Sequence, residues 1–268
     1  MAPGRTGGMA VVDAAVERRW EQEQALLGLA RDTPDEQFAT GGLGALGVEP
    51  TARIVVLPGN PSAQPVPAAD PKTIIPQAIM LPGGQQLPHH SIVRGTSSGF
   101  VGYTPSGGDG RWLSFTAVHW HGGMDFYPGA EGGHDLQQAL GPRRRAVFLH
   151  RCIGWAWGAF RLQREIIDKF EVPGPFRVIL GVADAAGAFL TNLGAGWDNP
   201  WSASIYGGEA ALESRVLLLE DLAEWPDGEG TEELALRFGA RLDLAFGGTG
   251  ERHLDRTGPA PGTFTPRW

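Results

Sequence analysis

The sequence predicts an α+β fold: an antiparallel sheet with a long central helix and a C-terminal helix packed on one face. Two helical patterns, and the order of the apolar runs around them, carry this. Between Pro142 and Phe170, residues Leu149, Cys152, Ile153, Ala156, Ala159, Phe160, Ile166, Ile167 and Phe170 recur at spacings of three and four, the repeat of one helix face. Behind Trp225-Pro226-Asp227, residues Leu234, Phe238, Leu242, Ala245 and Phe246 repeat in the same way. Short apolar runs precede each helix in groups. That order (strands, helix, strands, helix) suits an antiparallel sheet better than a doubly wound one.

Residues 1–50 are expected to form an N-terminal helix and a flexible linker. Val12, Ala15, Val16, Ala25, Leu26 and Leu29 make a stripe over 11–31, and a Gly-rich, acidic stretch follows to residue 50. A single α+β domain is expected over 51–247. Arg53–Leu57 is its first strand, followed by an extended Pro-rich loop. Ile74–Met80 is at most an edge strand because Pro76 interrupts it, and 81–98 is loop. Gly99–Tyr103 and Arg111–His121 form a hairpin about the turn PSGGDG. Pro142 suits the first position of the central helix, and Pro173, Gly174 and Pro175 stop it. Phe176–Val182 is a strand, and Ala188–Thr191 returns beside it. Arg215–Leu219 is the last strand. Asp227 is the expected N-cap of the final helix, with Glu229, Glu232 and Glu233 complementing the dipole and Gly247-Gly248 closing it. Residues 248–268 are expected to be a disordered or docking tail.

Composition excludes some function classes. A formal net charge of −8 argues against nucleic acid as a direct partner, because such domains carry a basic surface. The one cysteine, Cys152, rules out an intrachain disulfide and falls on the apolar helix face, as a buried thiol does. No secretory signal is visible, and the longest apolar window, 146–160, contains His150 and Arg151 and is shorter than the ~20 residues of a membrane span. A soluble, cytoplasmic protein with no membrane contact is expected. Walker A, Gly-x-Ser-x-Gly, His-Glu-x-x-His and Cys-x-x-Cys motifs are absent from the sequence.

Four stretches are candidate sites. In RWLSFTAVHWHGGMD, strand alternation points His119 and His121 the same way, and Asp125 could fold back toward them. Such a trio could ligate Zn or Fe, with His134 or His150 as a fourth ligand; the competing expectation is a pair of histidines at the solvated rim of a core. Arg143, Arg144 and Arg145 fall in the expected first turn of the central helix, where positive charge opposes the dipole at ~0.3–1 kcal/mol per site. An anion bound over the helix start would reverse that sign. Gly154 and Gly158, four apart, suggest a close approach to that helix by another backbone. GAGWDNPW, with Asp198 and Trp201, lacks the third glycine of a dinucleotide fingerprint and is expected to be surface loop.

The runs AVFLHRCIGWAWGAFRLQREIIDKFEVPGPFRVILGVADAAGAFLTNLGAGW and LLLEDLAEWPDGEGTEELALRFGARLDLAFG resemble the region that follows the DNA-binding module in bacterial AlbA-like (Schlafen-type) DNA-binding proteins. The likeness covers about residues 111–247 and rests on the long helix, the Gly-Pro-Phe strand entry and the Trp-Pro-Asp helix start. The DNA-binding module is not recognisable in 1–110, so the resemblance implies an accessory, regulatory region of a bacterial protein and transfers no functional residue. The expected function is a non-enzymatic binding or regulatory domain, without a cofactor, that contacts a small anionic ligand or a protein partner. The alternative is a metal-dependent enzyme built on His119, His121 and Asp125. Homo-oligomerisation through the N-terminal helix or the tail is compatible with either.

Overall fold

The computed structural model describes residues 51–60, 62–75, 90–96, 99–105, 112–127, 145–183, 185, 187–192, 204–205 and 215–248. The stripe over 11–31, the run 76–80, residues 106–110 of the expected turn, the loop GAGWDNPW and the tail from 249 lie outside them.

The chain forms β1 (Thr51–Pro58), a short helix α1 (Pro71–Ile74), β2 (Ile92–Thr96), β3 (Gly99–Pro105), β4 (Trp112–His119), β5 (Met124–Tyr127) and β6 (Arg145–Phe148). Then come the long helix α2 (Leu149–Phe170), β7 (Phe176–Ala183), β8 (Ala188–Asn192), β9 (Ser204–Ile205), β10 (Arg215–Leu222) and the final helix α3 (Gly228–Ala245). Seven strands form one sheet in the order β10-β7-β1-β5-β4-β3-β2, and every neighbouring pair is antiparallel. The predicted α+β architecture is therefore present.

The period of two divides the sheet into two faces. Ile54, Val56, Phe100, Val118, Met124, Phe126, Val178, Leu180, Val182, Val216 and Leu218 point to one face and join the main core. Every buried apolar side chain of α1, α2 and α3 belongs to that same core, so the helices sit on one face of the sheet. Val55, Leu57 and Ile179 form a separate buried cluster on the other face.

Helix α2 begins at Leu149, not near Pro142: Arg145–Phe148 is a strand that runs directly into it. Ala146, Val147 and Phe148 are consecutive apolar residues, a pattern that suits a short buried strand. From Cys152 to Phe160 every residue of α2 is buried, Gly154, Gly158 and Cys152 among them. That follows from its neighbours, since α2 touches α3, β1, β6 and β8. The helix stops at Phe170 with Glu171 in the left-handed region (φ 52°), and the Val172 N–H donates to the Ile167 carbonyl. This is a Schellman-type stop, followed by Pro173.

Ala188–Asn192 does not return beside β7. It pairs in parallel with β6, in a second sheet ordered β6-β8-β9. Both edges of β7 are already filled, by β1 and by β10. Strand β2 and helix α1 replace expected loop, and β5 forms where no element was expected; α1 carries its signal in Asp70-Pro71, an N-cap followed by proline at the helix start.

Helix α3 follows its expected cap: Asp227 Oδ1 accepts from the Gly230 N–H at 2.9 Å. Leu234, Phe238, Leu242 and Phe246 are buried, whereas Ala245 is exposed. Arg164 on α2 donates to the Trp225 and Pro226 carbonyls, both at 3.3 Å, and fixes where α3 starts.

Between β7 and β10, the Arg177 guanidinium grips Asp221 with two bonds of 2.6 Å and holds its carboxyl below the ordinary value of 3.8. A depressed carboxyl pKa stabilises the fold above the unfolded value and loses that contribution as pH falls through the folded one. Asp221→Asn is therefore expected to destabilise at pH 7, with the gap to wild type closing below about pH 4. Thermal melts of both proteins across pH 3–7 check this; a gap that is constant with pH would contradict it.

Candidate functional site

The sequence pointed first to the end of β4. Strand β4 stops at His119, and the chain turns through Trp120-His121-Gly122-Gly123 into β5. The Gly122 N–H donates to the His119 carbonyl at 2.8 Å, and the His119 N–H donates to the Gly123 carbonyl at 2.9 Å. Gly122 adopts φ +81°, and a Cβ there would lie 2.5 Å from a Val172 methyl, so the turn requires glycine twice over. Gln163 of α2 locks it from below, its side-chain amide donating to the Gly122 carbonyl at 2.8 Å. Phe100 meets Trp120 edge to face at 4.9 Å.

The two histidines do come together. Their rings stack with centroids 5.1 Å apart and planes 19° from parallel. His121 is buried, and its Nδ1 accepts from the Gly123 N–H at 3.0 Å. That bond requires an unprotonated Nδ1, and it uses the lone pair a metal would need there.

Asp125 is engaged elsewhere. Its Cα partners are Val55 on β1 and Ala117 on β4, which puts it on the second face of the sheet. Arg53, two residues before Val55, shares that face and closes on it diagonally. Arg53 Nε donates to Asp125 Oδ1 at 2.7 Å, and Nη2 donates to Oδ2. Both side chains are about nine-tenths buried, at 8% and 11% exposure. A bidentate guanidinium leaves this carboxylate ill suited to a cation. Among the described residues no three His, Cys, Asp or Glu side chains are grouped to hold a metal ion. The trio His119, His121 and Asp125 therefore does not fit Zn or Fe as the sequence suggested. Metal analysis of protein purified without a His-tag is expected to find well under one equivalent of either.

The basic run loses its helix. Arg145 opens β6, and the four-residue strand separates it from the first turn of α2 by about 10–13 Å. Arg143 and Arg144 lie outside the described residues. Arg145 therefore does not lie in the first turn of α2, where the sequence had placed it.

A different surface emerges at the flank where β10 meets α3. Among the described residues, the exposed large hydrophobic side chains are Ile92, Leu219 and Leu244. Two of these three lie on this flank: Leu219 on β10, 48% exposed, and Leu244 on α3, 55% exposed. Leu219 pairs with Ile179 and so points to the second face of the sheet, away from α3, and an ion network links the two elements. Arg237 donates to Glu220 at 2.6 Å and lies 3.6 Å from Glu233; Arg241 lies 3.8 Å from Glu220 and donates to the Leu219 carbonyl at 2.8 Å. The sequence carried a signal for this surface that periodicity alone passes over. Arg237, Arg241 and Leu244 are spaced i, i+4, i+7, so a leucine ends the polar stripe of α3.

Comparison with known protein families, with curated proteins and with solved structures gave no match.

Proposed function

We propose that this chain is a non-enzymatic binding domain whose partner is a protein, contacted through the flank of β10 and α3. One observation carries the reading: Leu219 and Leu244 are exposed on adjoining elements that the Arg237, Arg241 and Glu220 network joins. Single surface leucines are ordinary. Two on adjoining elements beside a satisfied polar cluster offer the mixture of apolar and polar contacts found at protein interfaces. The engagement of Asp125 by Arg53 supports binding over metal chemistry, because it removes the carboxylate that the metal reading needed. No described helix is long and apolar enough to cross a membrane.

A photoreactive amino acid at position 244, in the full chain produced in its own cells, tests this. Illumination is expected to give a discrete covalent adduct with a protein, lost when Leu219→Lys is added. An absence of any adduct at 244 would overturn the reading.

A further inference from the structure

We infer that the partner is a second copy of this chain, joined antiparallel along β10. The inference rests on the binding reading above and assigns its occupant.

The backbone of β10 supplies the first argument. Strand β10 ends the seven-stranded order, and among the described residues its one ladder partner is β7. In an antiparallel pair, alternate residues turn both backbone groups toward the partner and the others turn both away. The Leu219 carbonyl accepts from Arg241, a side chain outside the ladder. Residues 217, 219 and 221 thus turn their backbone groups outward. A strand edge run antiparallel to its own copy is self-complementary, each outward N–H meeting an outward carbonyl. A two-fold axis beside Leu219 pairs that residue with the copy's Leu219, and residue 217 with the copy's residue 221.

The same axis, perpendicular to the sheet, leaves both copies of α3 on one face, side by side. Strand β10 has 8 residues and α3 has 18, so each is about 27 Å long. The contact is then two layers deep, strand beside strand and helix beside helix. Leu219 meets its copy across the strands. Leu244 lies on the same stripe of α3 as Arg237 and Arg241, the residues that reach the β10 edge, and so faces the neighbouring α3. Both exposed leucines are covered by one symmetric contact.

Arg241 then acquires a second role. Its bond to the Leu219 carbonyl occupies the acceptor that the copy's Leu219 N–H needs, so the arginine competes with pairing and holds it reversible. Removing that side chain should tighten the dimer, whereas a merely structural arginine would not behave so.

Sedimentation velocity on the full chain over roughly 1–200 µM decides the matter. A monomer–dimer equilibrium is expected for wild type. Leu219→Lys, which opposes two like charges at the axis, and Leu244→Lys should each weaken it at least about tenfold. Arg241→Ala should strengthen it. Because residues 219, 241 and 244 are surface-exposed or partly so, circular dichroism should show all three variants folded. A wild type and Arg241→Ala that both stay monomeric throughout would overturn the inference, as would a dimer insensitive to both lysines. The crosslink at 244 separates the two levels. An adduct with a different protein leaves the binding reading standing and sinks self-association, whereas no adduct sinks both.

Discussion

Arg53→Ala is expected to cost about 3–5 kcal/mol of folding stability, among the largest single losses available in this chain. The Arg53 and Asp125 side chains meet through two bonds in a setting that leaves them 8% and 11% exposed. Truncating one partner strands the other charge away from water, and that desolvation, rather than the lost attraction, sets the magnitude. Asp125→Ala should cost a similar amount for the same reason. The double replacement Arg53→Met with Asp125→Leu removes both charges and retains apolar volume beside Val55 and Ile179, so it should come within about 1 kcal/mol of wild type or exceed it. Urea denaturation of the four proteins measures these differences. A single-variant loss below about 1 kcal/mol would mean that the pair is solvated, and its burial between β1 and β5 would then be unimportant to the fold.

Phe160→Ala should cost about 3–5 kcal/mol. Its ring sits where α2, α3 and the sheet meet: Trp225 lies edge-on at 5.9 Å, Phe238 at 5.8 Å, and Phe176 of β7 touches the other side of Trp225 at 5.4 Å. The Trp225 indole N–H donates to the backbone carbonyl of residue 160, so that bond survives the substitution and the loss is one of packing. Phe160→Ala and Phe238→Ala share one cavity and should combine to less than the sum of their separate effects. Additivity within about 0.3 kcal/mol would show that the two rings pack independently.

The parts of this fold that were legible in the sequence are those with a long repeat. The body of α2 and nearly all of the buried face of α3 could be read because five or more apolar residues recur at helical spacing, and Asp227 because a cap needs only local chemistry. The start of α2 was misplaced since β6 contributes only four residues, too few for period two or 3.6 to declare itself. Strands β2 and β5, of five and four residues, escaped for the same reason. The place of β8 was hidden differently. Its residues read as a strand, but which strand it pairs with depends on β7 having no edge left.

The candidate sites divide along the same line. Alternation does group His119 with Asp125 on one face, since Ala117 pairs with Asp125. Nothing local revealed that Asp125 belongs to Arg53, 72 residues earlier in the chain, because that contact exists only once β1 lies against β5. Likewise Leu244 stands out on the polar side of α3 in sequence, but the bond that ties its stripe to the β10 edge, Arg241 to the Leu219 carbonyl, exists only once α3 folds back onto β10.

The sequence by itself determined the class of the fold, the core of both long helices, and the cap that starts the second. Hydrophobic periodicity and capping act within a few residues, and so they are written into short stretches of chain. Tertiary structure alone decided which charges pair, which histidine lone pair is used, and which leucines remain in water. Those outcomes follow from strand register and helix docking, which bring together residues far apart in sequence and depend on every edge and face already taken.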